Sequence, residues 1–201
     1  MKKTLIIGIT GGIGGGKSTL AKILREKGYW VYDTDFEAKR LQNEDAEVCR
    51  QLSILFGSEI YDEMGNLDRK KLADLVFENK ESLSKLSQIV HPAVRLDFSE
   101  WRKQHADEKY LFVESAIMLE SGLHELVDKV VVVTAPEKVR IKRVVKRDKI
   151  TPKQVRARMA NQMPEKEKIK RADIVLNSNG KRVLSQNIEK MFAELKKHEN
   201  V

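Results

Sequence analysis

Residues 5–24, LIIGITGGIGGGKSTLAKIL, decide the fold of this chain. The first five residues form a nearly continuous apolar run, which is typical of a strand buried on both faces of a parallel sheet. Glycines follow at once, and apolar residues then return at helical spacing from Leu20 to Leu24. The stretch predicts a strand, a glycine loop and a helix, and Gly28 is well placed to end that helix.

Four further short runs, rich in apolar or β-branched residues, predict the remaining strands of a sheet. Helical stretches separate them, and this alternation favours an α/β fold with a mostly parallel five-stranded sheet. A final amphipathic helix is predicted over residues 183–195, packed on the sheet. The four strand runs are residues 30–33, 110–113, 130–133 and 174–176.

About 75 residues separate the second strand from the third, which is too many for a simple crossover. They predict an inserted helical subdomain over about 36–108, with one loop, GSEIYDEMGN. Pro92 permits a fresh helix to start after His91. We expect a single domain, 1–201, that carries this insertion.

The composition is that of a globular protein, with 41% hydrophobic residues and no apolar run long enough to span a bilayer. The start, MKK, precedes an apolar run too short for a signal peptide, so we expect a cytoplasmic protein without a membrane partner. Cys49 is the only cysteine, which excludes an internal disulfide.

The net charge of +8 is concentrated in residues 137–182, which hold sixteen Lys/Arg against five Asp/Glu, a local net of +11. Such a segment suits nucleic acid, an anionic membrane surface or a polyphosphate ligand, and composition alone does not choose among them. It contains no Phe, Tyr or Trp for base stacking, which disfavours nucleic acid.

The loop GGIGGGKS fits the phosphate-binding pattern G-x-x-x-x-G-K-[ST] between a predicted strand and helix. Its backbone N–H groups and the helix N-terminus favour an anion. Lys17 is expected to reach the β and γ phosphates, and the Ser18 hydroxyl to ligate Mg²⁺. The predicted ATP-binding residues here are Gly11, Gly12, Ile13, Gly14, Gly15, Gly16, Lys17, Ser18 and Thr19. The loop alone does not separate switches, motors and kinases.

The stretch VYDTD places two carboxylates where the second strand ends. Asp33 is predicted to accept the proton of an attacking hydroxyl, because ligands gather at the carboxyl ends of parallel strands. The alternative is that Asp33 caps the helix beginning near Phe36, although Asp35 fits the capping role at least as well.

These residues, together with LDRKKLADLVF, IVHPAVR, ESAIMLESG, RVVKRD and RADIVLNSNG, resemble the dephospho-CoA kinases. The resemblance covers nearly the whole chain in the family's order and spacing. It implies transfer of the ATP γ-phosphate to the ribose 3'-hydroxyl of dephospho-CoA, on a P-loop kinase fold with a helical substrate domain and a lid.

The resemblance also assigns residues. Asp33 matches the first Asp of the family's D-A-D motif, regarded there as the base, and Thr34 replaces the alanine. His91 matches the family's H-P pair near the acceptor, although a histidine by itself is more often structural. Glu120 matches the glutamate of the family's P-L-L-F-E stretch and is carried over as an acceptor contact. Arg69 and Arg95 are candidates for the acceptor's phosphates, with surface roles as the alternative.

The basic segment then becomes a lid over about 137–172. Arg147 is the preferred catalytic phosphate contact and Arg143 the preferred ATP contact, and Asn177 matches a loop near the adenine. Glu114 stands where the family has an aspartate and could hold Mg²⁺ through water, or be a carboxylate satisfied in a polar loop. The sequence A-I-M-L-E lacks the family's proline before Glu120.

Two other functions compete. A nucleoside or nucleotide kinase would share the loop and lid but should lack the H-P element. A nucleotide-dependent switch that binds nucleic acid is disfavoured, because no N-K-x-D run for guanine recognition occurs in the sequence. The sequence does not determine the oligomeric state.

Overall fold

The computed structural model describes residues 4–77 and 79–197. The chain divides into two compact units, Met1–Tyr32 with Asp107–Val201, and Asp33–Ala106. The basic residues at the start of the chain, which were compared with a signal peptide, lie outside the described residues. Among the described helices, none is both long and apolar enough to cross a bilayer.

The structure has a sheet of five strands with the order β2-β3-β1-β4-β5. β1 pairs in parallel with β3 and β4, and β4 pairs in parallel with β5. Because β1 is central, Ile7 and Ile9 are fully buried, which explains its continuous apolar run. All five predicted strands are confirmed: β1 (Leu5–Thr10), β2 (Trp30–Asp33), β3 (Tyr110–Glu114), β4 (Lys129–Thr134) and β5 (Ile174–Asn177).

The helices surround this sheet or build the second unit. Two short 3-10 turns, Ser58–Ile60 and Leu123–Leu126, accompany them. In chain order the helices are α1 (Lys17–Glu26), α2 (Thr34–Glu44), α3 (Ala46–Phe56), α4 (Arg69–Phe77), α5 (Lys80–Gln104), α6 (Glu137–Asp148), α7 (Pro152–Ala160), α8 (Glu165–Lys170) and α9 (Lys181–Lys197).

The core of the first unit lies between the sheet and the helices α1 and α9. Ile7, Phe112 and Val131 of the strands are fully buried there. The predicted final helix is confirmed as α9, and its apolar side faces this core as expected. The helical residues of the core are Leu20, Leu24, Leu184, Ile188, Met191 and Leu195.

The second unit is helical, with α2, α3, α4 and α5 around its own core. That core lies among α3, α4 and the loop before α4. Its buried residues are Val48, Leu52, Ile60, Leu67, Leu72 and Val76.

The prediction of a fresh helix start at Pro92 is wrong, because α5 is one helix of 25 residues that continues through Pro92. Proline removes one backbone N–H donor from a helix and usually kinks it. Here Val90 and Val94, on either side of Pro92, are both buried. We attribute the continuity of α5 to this packing, which outweighs the lost hydrogen bond.

Candidate active site

The glycine loop between β1 and α1 turns at Gly14 and Gly16, whose φ angles are 75° and 105°. A Cβ on Gly16 would lie 2.8 Å from Ser178 Oγ, and one on Gly14 would lie 2.6 Å from the Arg140 carbonyl oxygen. Both positions therefore need glycine for conformation and for space. Gly16 is the N-cap of α1, and no side chain within the described residues caps that helix end, so its positive end is open to an anion.

Lys17 begins α1, and its Nζ donates to the Gly11 carbonyl oxygen at 3.0 Å. The ammonium therefore lies across the loop, where it can meet a bound phosphate. A cavity of about 370 Å³ opens beside it and joins the loop to two arginines of α6. The cavity is lined by Gly14, Gly16, Lys17, Ser18, Thr19, Arg143, Val144 and Arg147.

Ser18 and Glu114 form the oxygen pair predicted to serve a metal ion. Ser18 Oγ donates to Glu114 Oε1 at 3.0 Å. Glu114 ends β3, pairs with Ile9 across the sheet and is only 7% exposed. A hydroxyl and a carboxylate are the hard oxygen donors that Mg²⁺ prefers, so this pair fits the predicted ion.

The two predicted lid arginines differ in their contacts. Arg143 is held against the loop, donating to the Gly14 carbonyl oxygen at 3.2 Å and to Ser178 Oγ at 2.8 Å. Arg147 instead donates to Asp148 Oδ1 at 2.7 Å, and its side chain is 62% exposed. The hydrogen bond from Arg147 lowers the pKa of the Asp148 carboxyl. Both arginines line the cavity, but Arg143 is fixed against the glycine loop, whereas Arg147 is largely exposed.

Both backbone polar groups of Ile13 form hydrogen bonds with side chains that lie outside the glycine loop. Its N–H donates to Gln162 Oε1 at 2.9 Å, and its carbonyl oxygen accepts from Arg140 Nε at 3.1 Å. Arg140 also forms an ion pair with Glu165 of α8. No role is predicted from the sequence for Gln162, Arg140 or Glu165.

Glu120, a predicted acceptor residue, is engaged within the first unit. It accepts a hydrogen bond from the Met163 N–H at 3.0 Å and pairs with Lys168 Nζ at 2.8 Å. Burial alone would raise the pKa of Glu120, but the hydrogen bonds from Lys168 and Met163 outweigh burial and lower it. Lys168 is fully buried.

Asn177 ends β5 and is exposed. Its Oδ1 accepts from the Asn179 N–H, and its carbonyl oxygen accepts from Asn187 Nδ2, both at 2.8 Å. The next residue, Ser178, is the one that contacts the glycine loop, donating from Oγ to the Gly15 carbonyl oxygen at 2.6 Å.

The carboxylates of VYDTD have separate positions. Asp33 is the N-cap of α2, and its Oδ1 accepts from the N–H groups of Asp35 and Phe36, both at 3.1 Å. The prediction that Asp35 fits this cap at least as well as Asp33 is wrong, because Asp35 lies one residue inside the helix, where its side chain is exposed. Thr34, the residue between them, is buried.

The other predicted acceptor residues lie in the second unit. Arg69 begins α4 and donates to Gln42 Oε1 at 3.1 Å and to the Lys39 carbonyl oxygen at 2.9 Å. His91 and Arg95 lie one turn apart on α5, and both are half-buried. Burial lowers the pKa of His91 below its ordinary value of 6.5.

Comparison with known proteins bears on the resemblance. A family model described as dephospho-CoA kinase matches residues 5–183. A dephospho-CoA kinase of Leptospira interrogans is 44% identical over 179 residues, covering 89% of this chain and 86% of its own. One from Fusobacterium nucleatum is 39% identical over 193 residues, covering 96% of each.

The chain belongs to the dephospho-CoA kinase family. A solved dephospho-CoA kinase from Campylobacter jejuni has a TM-score of 0.72 at 29% identity, covering 96% of this chain and 98% of its own. The resemblance and the P-loop kinase fold predicted from the sequence are thus confirmed, and the protein is a kinase.

Several residues that hold the dephospho-CoA kinase loop, or that hold its partners, had no signal in the sequence. Arg140, Gln162 and Ser178 each lie well over a hundred positions from the loop residue that they bind, so no local spacing connects the two. Glu165 and Lys168 lie 25 and 52 positions from Arg140 and Ala116, which is also beyond helical spacing. Ser178 lies within a quoted motif, but no contact is predicted for it.

Proposed function

We propose that this kinase transfers the γ-phosphoryl group of ATP to the ribose 3'-hydroxyl of dephospho-CoA, which completes coenzyme A. Family membership supports this activity. The observation that carries the proposal is the set of groups at the glycine loop: the Lys17 ammonium and the Ser18–Glu114 pair. A kinase needs such groups to hold a magnesium-bound triphosphate.

Mg²⁺ is proposed to bind Ser18 directly and Glu114 through water. Both supply oxygen donors, and their 3.0 Å hydrogen bond places them together. When bound, the ion neutralises charge on the β and γ phosphates. The hydrogen bond between Ser18 and Glu114 fixes the orientation of both side chains, so their oxygens are available to the same ion.

The nucleotide is proposed to lie along the glycine loop, from Gly11 to Thr19, with Arg143 in contact with ATP. The cavity beside the loop supports this placement, since it is lined by five loop or α1 residues together with Arg143 and Arg147. Asn177 remains proposed near the adenine. Its exposure at the end of β5 is compatible with a ligand contact.

Arg147 is proposed to bind the transferring phosphoryl group as a catalytic residue. Its side chain is largely exposed and is held by Asp148, itself at the end of α6. A guanidinium with this freedom can turn toward a phosphate when nucleotide binds. The lid that carries it is proposed over about 137–172.

The general base is proposed to be one of the VYDTD carboxylates. Asp33 is predicted as the base from its place at the carboxyl end of β2 and from its match to the first Asp of the family's D-A-D motif. It stays the proposed base. Its Oδ1 accepts the N–H groups of Asp35 and Phe36, so the cap of α2 holds this carboxylate at the end of the strand.

The second unit, Asp33–Ala106, is proposed to bind the acceptor, as the insertion predicted over about 36–108. Arg69, His91 and Arg95 remain its proposed acceptor contacts. Glu120, a residue of the first unit, remains an acceptor contact implied by the resemblance alone. Arg69 would exchange its present carbonyl and amide partners for phosphate oxygens. We place the enzyme in the cytoplasm, in keeping with Cys49, its single cysteine, which is free.

The activity is tested by coupled ATP turnover with dephospho-CoA, adenosine, AMP or CMP as acceptor, beside a reaction without acceptor. We expect turnover above the acceptor-free rate with dephospho-CoA alone. Turnover with a nucleoside or nucleotide acceptor and none with dephospho-CoA would refute the proposal.

The base is tested with the pair Asp35→Asn and Asp33→Asn. Asparagine caps helices as well as aspartate does, so Asp33→Asn keeps the cap and removes only the charge. We expect kcat to fall about 10²- to 10⁴-fold for Asp33→Asn and less than tenfold for Asp35→Asn, with ATP binding kept in both. The reverse order would move the base to Asp35.

A further inference from the structure

The segment Gln162–Lys168 contacts two different parts of the first unit. At one end Gln162 Oε1 accepts from the Ile13 N–H of the glycine loop at 2.9 Å. At the other end Lys168 Nζ donates to the Ala116 carbonyl oxygen at 2.6 Å, in the loop that follows β3. The segment thus joins the glycine loop, which precedes Ser18, to the loop that follows Glu114.

We propose that Gln162–Lys168 is a fixed bracket for the nucleotide site, with Gln162 and Lys168 as positioning residues for phosphoryl transfer. The bracket holds the glycine loop in the form that receives phosphate. The inference rests on the proposed function, because it takes the loop to bind the phosphates of ATP. The proposed lid, over about 137–172, then consists of a fixed part, Gln162–Lys168, and a part that moves.

Ile13 is the point at which the bracket holds the loop. Gln162 binds its N–H and Arg140 binds its carbonyl oxygen, so the peptide groups on both sides of Ile13 are fixed in orientation. Successive peptide groups of a tight loop share their torsions. Fixing those at Ile13 therefore limits how the following N–H groups, from Gly14 onward, turn toward a phosphate.

The middle of the bracket adds a second contact with the loop. Glu165 pairs with Arg140, and the two side chains are 18% and 8% exposed. A Cβ on Gly12 would collide with the ends of both side chains. Because a shielded ion pair is costly to break, this contact resists movement of the segment away from the loop.

Lys168 anchors the far end. Its side chain is completely buried, pairs with Glu120 at 2.8 Å and donates to a backbone carbonyl. Moving the ammonium out of this position would separate a buried charge from its partners, which is strongly unfavourable. Glu120 also binds the Met163 N–H, so both ends of the segment are tied.

The moving part of the lid is the Arg147 side chain. It binds Asp148 and is 62% exposed, and exposed ion pairs of this kind are weak and break readily in water. Phosphate binding therefore draws Arg147 away from Asp148, while Gln162–Lys168 stays in place. The helix α7 also stays in place, because its Val155 is fully buried in an apolar cluster with Ile141 and Val144 of α6.

The first test compares Gln162→Leu with Gln162→Glu. Leucine removes the acceptor for the Ile13 N–H, whereas glutamate keeps an acceptor of the same length. We expect kcat/KM for ATP to fall about tenfold in Gln162→Leu, with recovery to within threefold of the parent in Gln162→Glu. The KM for dephospho-CoA should stay within twofold in both.

A structural measurement accompanies the kinetics. Amide hydrogen exchange at Ile13, followed by NMR, should become faster in Gln162→Leu and remain slow in Gln162→Glu. Gln186→Leu on the exposed side of α9 is the matched control and should change neither measurement. ATP affinity measured by calorimetry gives the same comparison even if the acceptor has been wrongly assigned.

The second test compares Lys168→Met with Lys166→Met, since Lys166 lies on the same helix but is exposed. We expect Lys168→Met to lower kcat/KM for ATP at least fivefold and to speed exchange of the Ile13 amide, with Lys166→Met unchanged. If Lys168→Met does not fold, the Gln162 pair still decides the question.

Two results would overturn the inference. One is unchanged exchange at Ile13 together with kcat/KM for ATP within twofold of the parent in Gln162→Leu. The other is equal loss of kcat/KM in the leucine and glutamate variants, because the acceptor would then have no part in positioning the loop.

Discussion

The glycine loop of this kinase and the exposed helix faces of its second unit use polar side chains differently. Around the glycine loop of the first unit, hydrogen bonds join residues far apart in the chain: Ile13 and Gln162 are separated by 149 positions, and Gly15 and Ser178 by 163. In the helical second unit, Arg50 binds Glu47 three positions away, and Lys85 binds Glu81 four positions away.

The long-range hydrogen bonds and the local helical pairs have different effects. Exposed pairs at helical spacing support the helix that carries both partners and contribute little to global stability. Long-range hydrogen bonds at the glycine loop hold backbone groups of a short, glycine-rich segment that has little packing of its own. We therefore expect changes near the loop to affect catalysis and changes among the helical pairs to affect stability slightly.

Among the changes that bear on this comparison, the largest expected effect comes from Lys17→Ala. Lys17 is proposed to contact the β and γ phosphates, so its loss should remove charge stabilisation during transfer, and kcat should fall about 10²- to 10³-fold. Steady-state kinetics at saturating acceptor measures the change. Lys22→Ala on the exposed side of the same helix is the control, and comparable loss there would break the comparison.

Next in size is Ser18→Ala, compared with Ser18→Thr. Alanine removes the hydroxyl that binds Glu114 Oε1 and is proposed to bind Mg²⁺, whereas threonine keeps it. We expect Ser18→Ala to raise the Mg²⁺ concentration for half-maximal rate about tenfold or more, and threonine to raise it much less. Equal magnesium dependence in all three proteins would contradict the metal proposal.

A smaller effect is expected from Arg40→Met in the second unit. Arg40 binds Glu37 at 2.6 Å and Asp97 at 2.5 Å, so it is a long-range contact between α2 and α5. Urea denaturation should show a loss of about 1 kcal/mol in the free energy of unfolding. Arg50→Ala, which removes an exposed local pair, should show no measurable loss.

The smallest expected effect is the pH dependence of stability due to His91. Burial lowers its pKa in the folded state, so below pH 6.5 the unfolded chain binds the proton first. The free energy of unfolding therefore falls as the pH drops from 6.5 toward the folded pKa, and does not depend on this group above about pH 7.5.

His91→Gln should reduce this slope. Denaturation of both proteins at pH 7.5 and pH 5.5 measures it, and an identical loss between the two pH values in the variant and the parent would show that His91 does not contribute. The result also shows whether a half-buried residue of the helical unit contributes more to stability than the exposed ion pairs of that unit.

Predictions that depended on neighbouring residues agreed with the structure, whereas predictions that depended on tertiary packing often did not. The strands, the glycine loop and α9 were predictable because each depends on residue types at close spacing, and α1 ends before Gly28 as expected. The helix start at Pro92 was wrong because burial of Val90 and Val94 outweighs a local preference. The expectation that Asp35 fits the cap at least as well as Asp33 was wrong because the sequence did not show at which residue α2 begins.

By itself, the sequence determined the P-loop kinase fold and the family, and it predicted the phosphate-binding residues. A continuous apolar strand, a run of glycines and an amphipathic helix act through neighbouring residues, and neighbours are visible in a sequence. Only the tertiary structure decided that Gln162, Arg140 and Ser178 hold the loop, and that Asp33 rather than Asp35 caps α2. Those contacts depend on where the folded backbone brings distant groups to within hydrogen-bonding distance, or on where a helix begins.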